Sequence, residues 1–163
     1  MVLKGNRITL RKFKKEDANE YLEIVNEPCI KQYVPFASPD DLEECKELIG
    51  NYSDLDFIND FYFIIEDNKT HKIIGSLLSF RTLSFSLDLS YLIGKDYRGN
   101  GYILEALNLF IDYLSKNTNY RLLEITIDNT NIASQKIMEK LNAQKMCVFE
   151  FTSFYEYRIK SAK

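Results

Sequence analysis

The stretch of sequence that decides the fold is Tyr97-Arg98-Gly99-Asn100-Gly101-Tyr102-Ile103. It lies between a strand pattern that ends near Ile93 and a helix pattern that begins after Gly101. The first four amides of a helix lack partners within the helix, and the helix dipole adds partial positive charge beside them. Because glycines let an anionic group approach these amides, the stretch predicts a phosphate-binding loop. Gly-x-Gly alone is also typical of an ordinary loop, so the rest of the sequence has to decide between the two.

Two other kinds of phosphate loop are excluded by the residues that follow the glycines. No Lys-Ser or Lys-Thr pair comes after them, which excludes a P-loop nucleoside triphosphatase. The dinucleotide-binding fingerprint requires a third glycine or an alanine where this chain has Leu104. A phosphate site at this loop would therefore have to belong to another class.

Outward from the loop, the apolar residues follow strand and helix patterns in turn. The helix after the loop carries an apolar stripe formed by Ile103, Ala106, Leu107, Phe110 and Leu114. Strands are predicted at residues 7–13, 61–66, 73–80, 84–93, 122–127, 147–151 and 154–159. The other helices are predicted at residues 16–25, 39–52 and 132–141, with Ser38 as the N-cap of the second and Pro39 in its first position. This order predicts one α+β domain, residues 1–163, around a mixed sheet.

Composition excludes several classes of function. A net charge of −3 and scattered lysines predict that the chain binds no nucleic acid. No apolar run is long enough to span a membrane or resembles a signal peptide, so we expect a cytoplasmic protein. Cys29, Cys45 and Cys147 are widely spaced, which predicts reduced thiols. His71 is the only histidine and lies in a turn-like segment, which argues against a metal site and against a Ser-His-Asp hydrolase.

The strand before the glycine loop has two different faces. One face holds Phe85, Leu87, Leu89 and Tyr91, and the other holds Ser86, Asp88 and Ser90. A strand buried in the middle of a sheet would be apolar on both faces. The polar face is therefore expected to line a cleft or, as the alternative, to face solvent on an outer strand.

Several segments in order resemble one protein family. The loop Arg98-Gly99-Asn100-Gly101-Tyr102-Ile103 is similar to the (Gln/Arg)-x-x-Gly-x-(Gly/Ala) loop of the GNAT superfamily of N-acyltransferases. Further on, Asn131-Ile132-Ala133-Ser134 resembles the family's Asn-x-x-Ser. Upstream, Asp88-Leu89-Ser90-Tyr91-Leu92 resembles the acidic strand of the branch that includes ribosomal-protein N-terminal acetyltransferases. Similar strings at residues 8–11 and 73–76 extend the resemblance over essentially the whole chain.

The resemblance implies a fold, an activity and a set of site residues. It implies a GNAT fold with a mixed, mostly antiparallel sheet flanked by helices. It also implies a monomer or homodimer that transfers an acetyl group from acetyl-CoA to a primary amine without a metal. The implied coenzyme A site comprises Leu92, Ile93, Arg98, Gly99, Asn100, Gly101, Tyr102, Ile103, Asn131 and Ser134. Asp88 is implied as the general base and Ser134 as the acid for the thiolate, with a backbone amide near residues 91–93 donating to the carbonyl.

The chain departs from the family pattern at two positions. The last residue of the loop is Ile103 rather than a small residue, but its amide still donates and its side chain fits the apolar stripe. The usual glycine after the later helix is Asn142, which tolerates the left-handed conformation that ends a helix. Asn131 is also a good N-cap for that helix, and capping alone would explain it.

Alternatives stay open for the function and for the residues that perform it. A CoA-binding sensor or scaffold without catalysis, or a purely structural interaction module, fits the same resemblance. Glu105 is the second candidate base, and Tyr97 or Tyr102 is the second candidate acid. Cys147 as a covalent nucleophile is disfavoured because it has no histidine to activate it.

The candidate acceptors are a protein N-terminal amine and small-molecule amines such as a polyamine or an aminoglycoside. An acid-rich stretch would attract a cationic acceptor, although such a run is more often a solvated helix surface. It comprises Asp40, Asp41, Glu43, Glu44, Glu47, Asp54, Asp56 and Asp60.

Overall fold

The computed structural model describes residues 1–35, 38–54 and 59–160, so Asp56 of the acid-rich stretch lies outside the described residues. The strands are β1 (Val2–Lys4), β2 (Ile8–Lys12), β3 (Asp60–Asp67), β4 (Ile73–Leu83), β5 (Ser86–Ile93), β6 (Leu122–Asp128), β7 (Gln144–Val148) and β8 (Thr152–Arg158). The α-helices are α1 (Ala18–Val25), α2 (Pro28–Tyr33), α3 (Leu42–Ser53), α4 (Tyr102–Asn117) and α5 (Ile132–Leu141).

One sheet contains all of these strands, in the order β1-β2-β3-β4-β5-β6-β8-β7. Neighbouring strands run antiparallel except β5 and β6, which run parallel. The expected α+β fold with a mixed, mostly antiparallel sheet is therefore confirmed. The parallel pair is short, because only Ser86–Asp88 of β5 pairs with Leu122–Glu124 of β6. Beyond Asp88 the two strands separate, and this opens the sheet beside the end of β5.

Apolar side chains pack against both faces of the sheet, although they leave part of one face uncovered. On one face, the predicted stripe of α4 packs into the main core, and Phe110 lies edge-on to Phe61 and Phe63 at ring-centroid distances of 5.4 and 5.9 Å. On the other face, α1 and α3 cover the first strands, with Tyr21, Cys45 and Ile49 completely buried. The second half of that face, around β5 and β6, is left for the site described below.

Some boundaries differ from the predicted ones for local reasons. The prediction of Ser38 as a helix N-cap is wrong, because α3 begins at Leu42 with Asp41 as its N-cap. The Asp41 carboxylate accepts from the Glu44 amide at 3.0 Å, and the Glu44 carboxylate accepts from the Asp40 amide at 2.9 Å. Asp41 thus supplies the cap that the serine was expected to supply, and Glu44 satisfies the Asp40 amide just before it.

The last hairpin also begins earlier than predicted. Strand β7 covers Gln144–Val148 rather than residues 147–151, because the Asn129 side chain donates to the carbonyls of Phe149 and Glu150 and holds them in the turn. Strand β1 and helix α2 were not predicted at all. Both are short, and a pattern of three or six residues gives little periodicity to detect.

Candidate active site

Both glycines of the loop have a backbone conformation that glycine adopts more readily than other residues. Gly99 and Gly101 have φ values of 76° and 78°, in the left-handed region that favours glycine. A Cβ atom at Gly99 would meet nothing within 4 Å, so this backbone conformation, rather than crowding, requires glycine there. Helix α4 starts at Tyr102, and its first internal bond runs from the Glu105 amide to the Gly101 carbonyl at 3.1 Å. The preceding amides of the first turn are therefore available for an anion.

Ile103 does not obstruct this first turn. Its side chain is buried in the main core and is only 4% exposed, while its amide remains in the first turn of α4. The second departure from the family pattern is also accommodated, because Asn142 takes the left-handed conformation with φ 59° and ends α5. The prediction for Asn142 is confirmed.

A cavity of about 590 Å³ extends from the glycine loop to α5. All of the implied coenzyme A residues except Asn100 line it, and Asn100 instead donates to the Arg98 carbonyl at 3.1 Å within the loop. The charged residues of the lining are Arg98, Lys136 and Lys140, all of them basic. We call this the cofactor cavity, because glycine conformation, free amides and basic charge all fit a phosphate-bearing cofactor.

A second cavity of about 320 Å³ lies where β5 and β6 separate. Asp88 and Ser90 of β5 line it, and its charged lining residues are Asp88 and Asp128, both acidic. The alternative of an outer strand is wrong, because β5 pairs with β4 on one side and β6 on the other. The polar face of β5 lines this cleft, which we call the acceptor cavity.

Burial gives Asp88 the properties of a proton acceptor. It raises the pKa of the half-buried Asp88 carboxyl above its ordinary value. The carboxylate of Glu124, its register partner on β6, raises this pKa further, while a hydrogen bond from the Leu89 amide opposes the rise. A carboxylate with a raised pKa takes up a proton more readily than an exposed one.

The two cavities meet at the N-terminus of α5. Tyr33, Val34, Tyr91, Asn131 and Ser134 line both of them. The Asn131 side chain accepts from the Ser134 amide at 3.1 Å, so the predicted capping role of Asn131 is confirmed. Only the amide of Ser134 is used in this cap, and its hydroxyl remains available at the junction.

The hydroxyl of Tyr91 is a feature of this junction that the sequence did not indicate. It is buried and makes no hydrogen bond within the part of the chain that the structure describes. Burial raises its pKa to about 12, and the nearby Ser134 hydroxyl partly opposes this rise although the geometry falls short of a hydrogen bond. Tyr91 thus presents a protonated hydroxyl close to Ser134.

Other candidate residues lie away from the junction. Glu105 accepts from the Arg7 amide at 2.9 Å and from Arg7 Nε at 2.8 Å, and it lines neither cavity. The Arg7 guanidinium lies 4.6 Å from the centre of the Tyr102 ring. Cys147 is exposed on β7, an outer strand of the sheet. The structure therefore does not bring Glu105 or Cys147 to the reacting centre.

The described residues of the acid-rich stretch lie mainly on the outer surface of α3, and none of them lines either of the two cavities. Glu43, Glu44 and Glu47 are exposed there, and Glu43 pairs with Lys46. Within residues 1–35, 38–54 and 59–160, no cluster of His, Cys, Asp and Glu could hold a metal ion. None of the helices described is long and apolar enough to cross a membrane.

The glycine loop at the N-terminus of α4 and the diverging parallel strands fit the acyl-CoA-dependent acyltransferases that the sequence resembles. The family model described as "Acetyltransferase (GNAT) domain" matches residues 7–144, and the chain belongs to this family. Acetyl transfer from acetyl-CoA is the activity of the family.

Sequence relatives and solved structures agree with this assignment. The chain is 26% identical over 150 residues to "Uncharacterized N-acetyltransferase p20" of Bacillus licheniformis, a match that covers 85% of this chain and 80% of the relative. A GNAT-family acetyltransferase from Bacillus anthracis has a similar fold, with a TM-score of 0.85, 18% identity and 98% of both chains covered. So does RimL, a ribosomal L7/L12 alpha-N-protein acetyltransferase solved in complex with coenzyme A, with a TM-score of 0.85, 14% identity and 98% of both chains covered.

Proposed function

We propose that this chain transfers an acetyl group from acetyl-CoA directly to a primary amine, held in the acceptor cavity. The observation that carries the proposal is the meeting of a basic and an acidic cavity at Ser134. A cofactor with several phosphates suits the first cavity, and an ammonium group suits the second. For direct transfer, the amine and the thioester have to meet where the cavities join.

Asp88 is the proposed base. An alkyl ammonium has a pKa of about 10 and cannot attack a thioester until it loses a proton. The raised pKa of Asp88 favours uptake of that proton, either directly or through a water molecule on the polar face of β5. Before this step, the carboxylate also attracts the ammonium into the cavity.

The end of β5 and the start of α5 supply the other two groups. Beyond Asp88, β5 has no partner on the β6 side, so a backbone amide near residues 91–93 is available to donate to the thioester carbonyl. Ser134 is proposed to protonate the departing thiolate from the N-terminus of α5, where the helix dipole also stabilises negative charge. Acetyl-CoA itself supplies the activated acetyl group.

The acceptor is proposed to be a protein N-terminal amine or a small-molecule amine. The name of RimL, an acetyltransferase for a protein N-terminus, supports the first kind of acceptor. We further propose that residues 1–163 act as one catalytic domain, as a monomer or homodimer. The free thiols of Cys29, Cys45 and Cys147 fit a cytoplasmic location.

A turnover screen tests the proposal. Purified protein is incubated with acetyl-CoA and a panel of peptides with free N-termini, polyamines, aminoglycosides and simple alkyl amines, and release of the CoA thiol is followed. We expect turnover with at least one amine, and an acetylated product by mass spectrometry. Binding of acetyl-CoA without turnover on any of the amines would support the sensor or scaffold alternative. Absence of binding at millimolar acetyl-CoA would contradict both.

A further inference from the structure

One carboxylate contacts both ends of the turn that leads into the glycine loop. A 3-10 turn covers Lys95–Tyr97, and Arg98 follows it. The Glu27 carboxylate accepts from the Lys95 amide at 2.9 and 3.2 Å, and it also forms an ion pair with the Arg98 guanidinium. Gly94, the N-cap of this turn, has no side chain to bond the first amide. Glu27 therefore supplies the capping oxygen from a distant part of the chain.

Arg98 continues this set of contacts towards β5. Its Nε donates to the carbonyl of Ile93, the last residue of β5, at 3.1 Å. The Arg98 side chain thus lies back across the turn, between the end of β5 and Glu27. Since the Glu27 side chain is only 15% exposed, the ion pair is partly shielded from water. These contacts fix the chain immediately before Gly99, the first left-handed glycine of the loop.

The local sequence leaves the Glu27 side chain free for this role. Glu27 is the N-cap residue of α2, yet its side chain makes no capping bond to that helix. Pro28 follows it and disfavours a helical conformation at Glu27, which is extended with ψ 133°. The carboxylate then bonds residues that are 68 and 71 positions away.

The other end of α2 reaches the junction of the two cavities. The hydroxyl of Tyr33, the last residue of α2, lies 3.2 Å from the hydroxyl oxygen of Thr130. Thr130 precedes Asn131, the N-cap of α5. Helix α2 therefore connects the glycine loop at Glu27 to the start of α5 at Tyr33, and Tyr33 lines both cavities.

We infer that Glu27 is a positioning residue for the acetyl transfer, acting through Arg98 and α2. Glu27 stabilises the glycine loop in its anion-binding conformation, and α2 links this conformation to the wall of the acceptor cavity. The inference rests on the proposed function, but it concerns a residue that lines neither cavity.

The substitution Glu27→Gln tests this role with little change of shape. Glutamine retains an oxygen for the Lys95 amide but removes the charge that faces Arg98. Because hydrogen bonds to charged groups contribute more than neutral ones, we expect the Kd for acetyl-CoA to rise about tenfold. We expect KM for acetyl-CoA to rise with it while kcat changes less, and the melting temperature of the free protein to stay close to that of the parent.

A double-mutant cycle with Arg98→Gln shows whether the two residues act together. If they do, each single variant weakens acetyl-CoA binding, and the double variant weakens it no further. Glu66→Gln is the matched control, because Glu66 pairs with Arg11 and lines neither cavity. That control should lower the melting temperature and leave the Kd for acetyl-CoA unchanged.

The outcomes separate this inference from the proposed function. Acetyl-CoA binding by Glu27→Gln that is as tight as in the parent, or tighter, would overturn the positioning role. A tighter complex would show that Glu27 only neutralises the charge of Arg98. A parent protein that binds acetyl-CoA without turning over any amine would contradict the proposed function and leave the positioning of the loop supported by the binding data.

Discussion

The cofactor cavity and the acceptor cavity differ in how the chain builds them. The cofactor cavity depends on backbone conformation, with two left-handed glycines and the free amides of a helix N-terminus, and its charged side chains are basic. The acceptor cavity depends on side chains that project from the separating strands β5 and β6, and its charged residues are acidic. In a chain of net charge −3, the charged residues that line the cofactor cavity are thus basic and those that line the acceptor cavity are acidic, which favours an anionic ligand in the first and a cationic ligand in the second.

This difference predicts two kinds of response to mutation. A change of backbone conformation removes several amides of the cofactor cavity at once. A change of one side chain in or beside the acceptor cavity removes one interaction and leaves the remaining groups in place. Variants of the glycine loop should therefore abolish function, whereas variants of Ser134, Asp88 and Tyr91 should reduce it by degrees.

Gly101→Val is expected to have the largest effect. A β-branched residue is strongly disfavoured at φ 78°, and such backbone strain costs about 1–3 kcal/mol. The loop would leave its anion-binding conformation, and strain of this size corresponds to a rise in the Kd for acetyl-CoA of about fivefold to 150-fold. The measurement is the rise in melting temperature that millimolar acetyl-CoA or desulfo-CoA causes in the parent, which we expect to vanish in the variant.

Gly50→Ala is the control for this glycine variant. Gly50 lies in α3, and a Cβ atom there would meet nothing within 4 Å. Alanine should stabilise the protein by about 0.5–1 kcal/mol through its higher helix propensity. The acetyl-CoA shift should be the same as in the parent. An unaltered shift in Gly101→Val would show that cofactor binding does not depend on the glycine loop.

Ser134→Ala should reduce turnover by roughly tenfold to a thousandfold. Affinity for acetyl-CoA should change little, because the amide that Asn131 caps is retained. A thiol pKa of about 8.5 means that the thiolate can leave unaided, so the loss should shrink as the pH rises. The comparison is kcat against pH for parent and variant. Equal rates at pH 7 would restrict Ser134 to the capping of α5.

Asp88→Asn should reduce turnover by about tenfold to a hundredfold at neutral pH. The amide keeps the shape of the side chain but accepts no proton, so the variant depends on amine that is already deprotonated. The loss should therefore ease towards the amine pKa of about 10. A raised KM for the acceptor with a normal kcat would instead mean that Asp88 only binds the ammonium.

The stability of the same variant checks the burial of Asp88 independently. The folded pKa of Asp88 is raised above its unfolded value, so its contribution to stability is present below the unfolded pKa and is lost as pH rises through the folded pKa. Asp88→Asn should therefore melt at the same temperature as the parent, or higher, at neutral pH. This advantage should disappear in acid. A lower melting temperature at pH 7 would mean that the carboxylate stabilises the fold.

The parts of this arrangement that depend on neighbouring residues could be predicted from the sequence. The apolar stripe of α4 was predicted because residues three and four positions apart share a helix face. Helix α5 has the predicted bounds, and Asn142 after it has the predicted left-handed conformation. Each of these features is encoded within a short stretch of consecutive residues.

The parts that depend on distant residues could not be predicted in the same way. Strands β5 and β6 are connected through α4 and pair in parallel over only part of their length, and they separate where this pairing stops. No local sequence pattern marks that point. The bonds from Glu27 to Lys95 and Arg98 likewise join distant segments, and α2 is too short to give a periodic signal. Capping was predicted at Ser38 because serine is a good N-cap, but Asp41 competes for that role three residues later.

Tyr91→Phe should have the smallest effect on turnover, which it lowers, and it should raise the stability of the protein. The variant removes a buried hydroxyl that makes no hydrogen bond among the described residues, and an unsatisfied group of this kind costs about 1–3 kcal/mol. We expect the melting temperature to rise, and turnover to fall by about threefold to tenfold if the hydroxyl orients Ser134 or donates a proton beside it. With a pKa of about 12, the hydroxyl stays protonated throughout the assay range, so its own titration adds no pH dependence to the loss. Combining Tyr91→Phe with Ser134→Ala distinguishes the two roles. If the double variant loses no more turnover than Ser134→Ala, the Tyr91 hydroxyl acts by orienting Ser134. If the two losses add, the Tyr91 hydroxyl donates a proton independently of Ser134. Turnover equal to that of the parent would mean that the hydroxyl takes no part in the reaction.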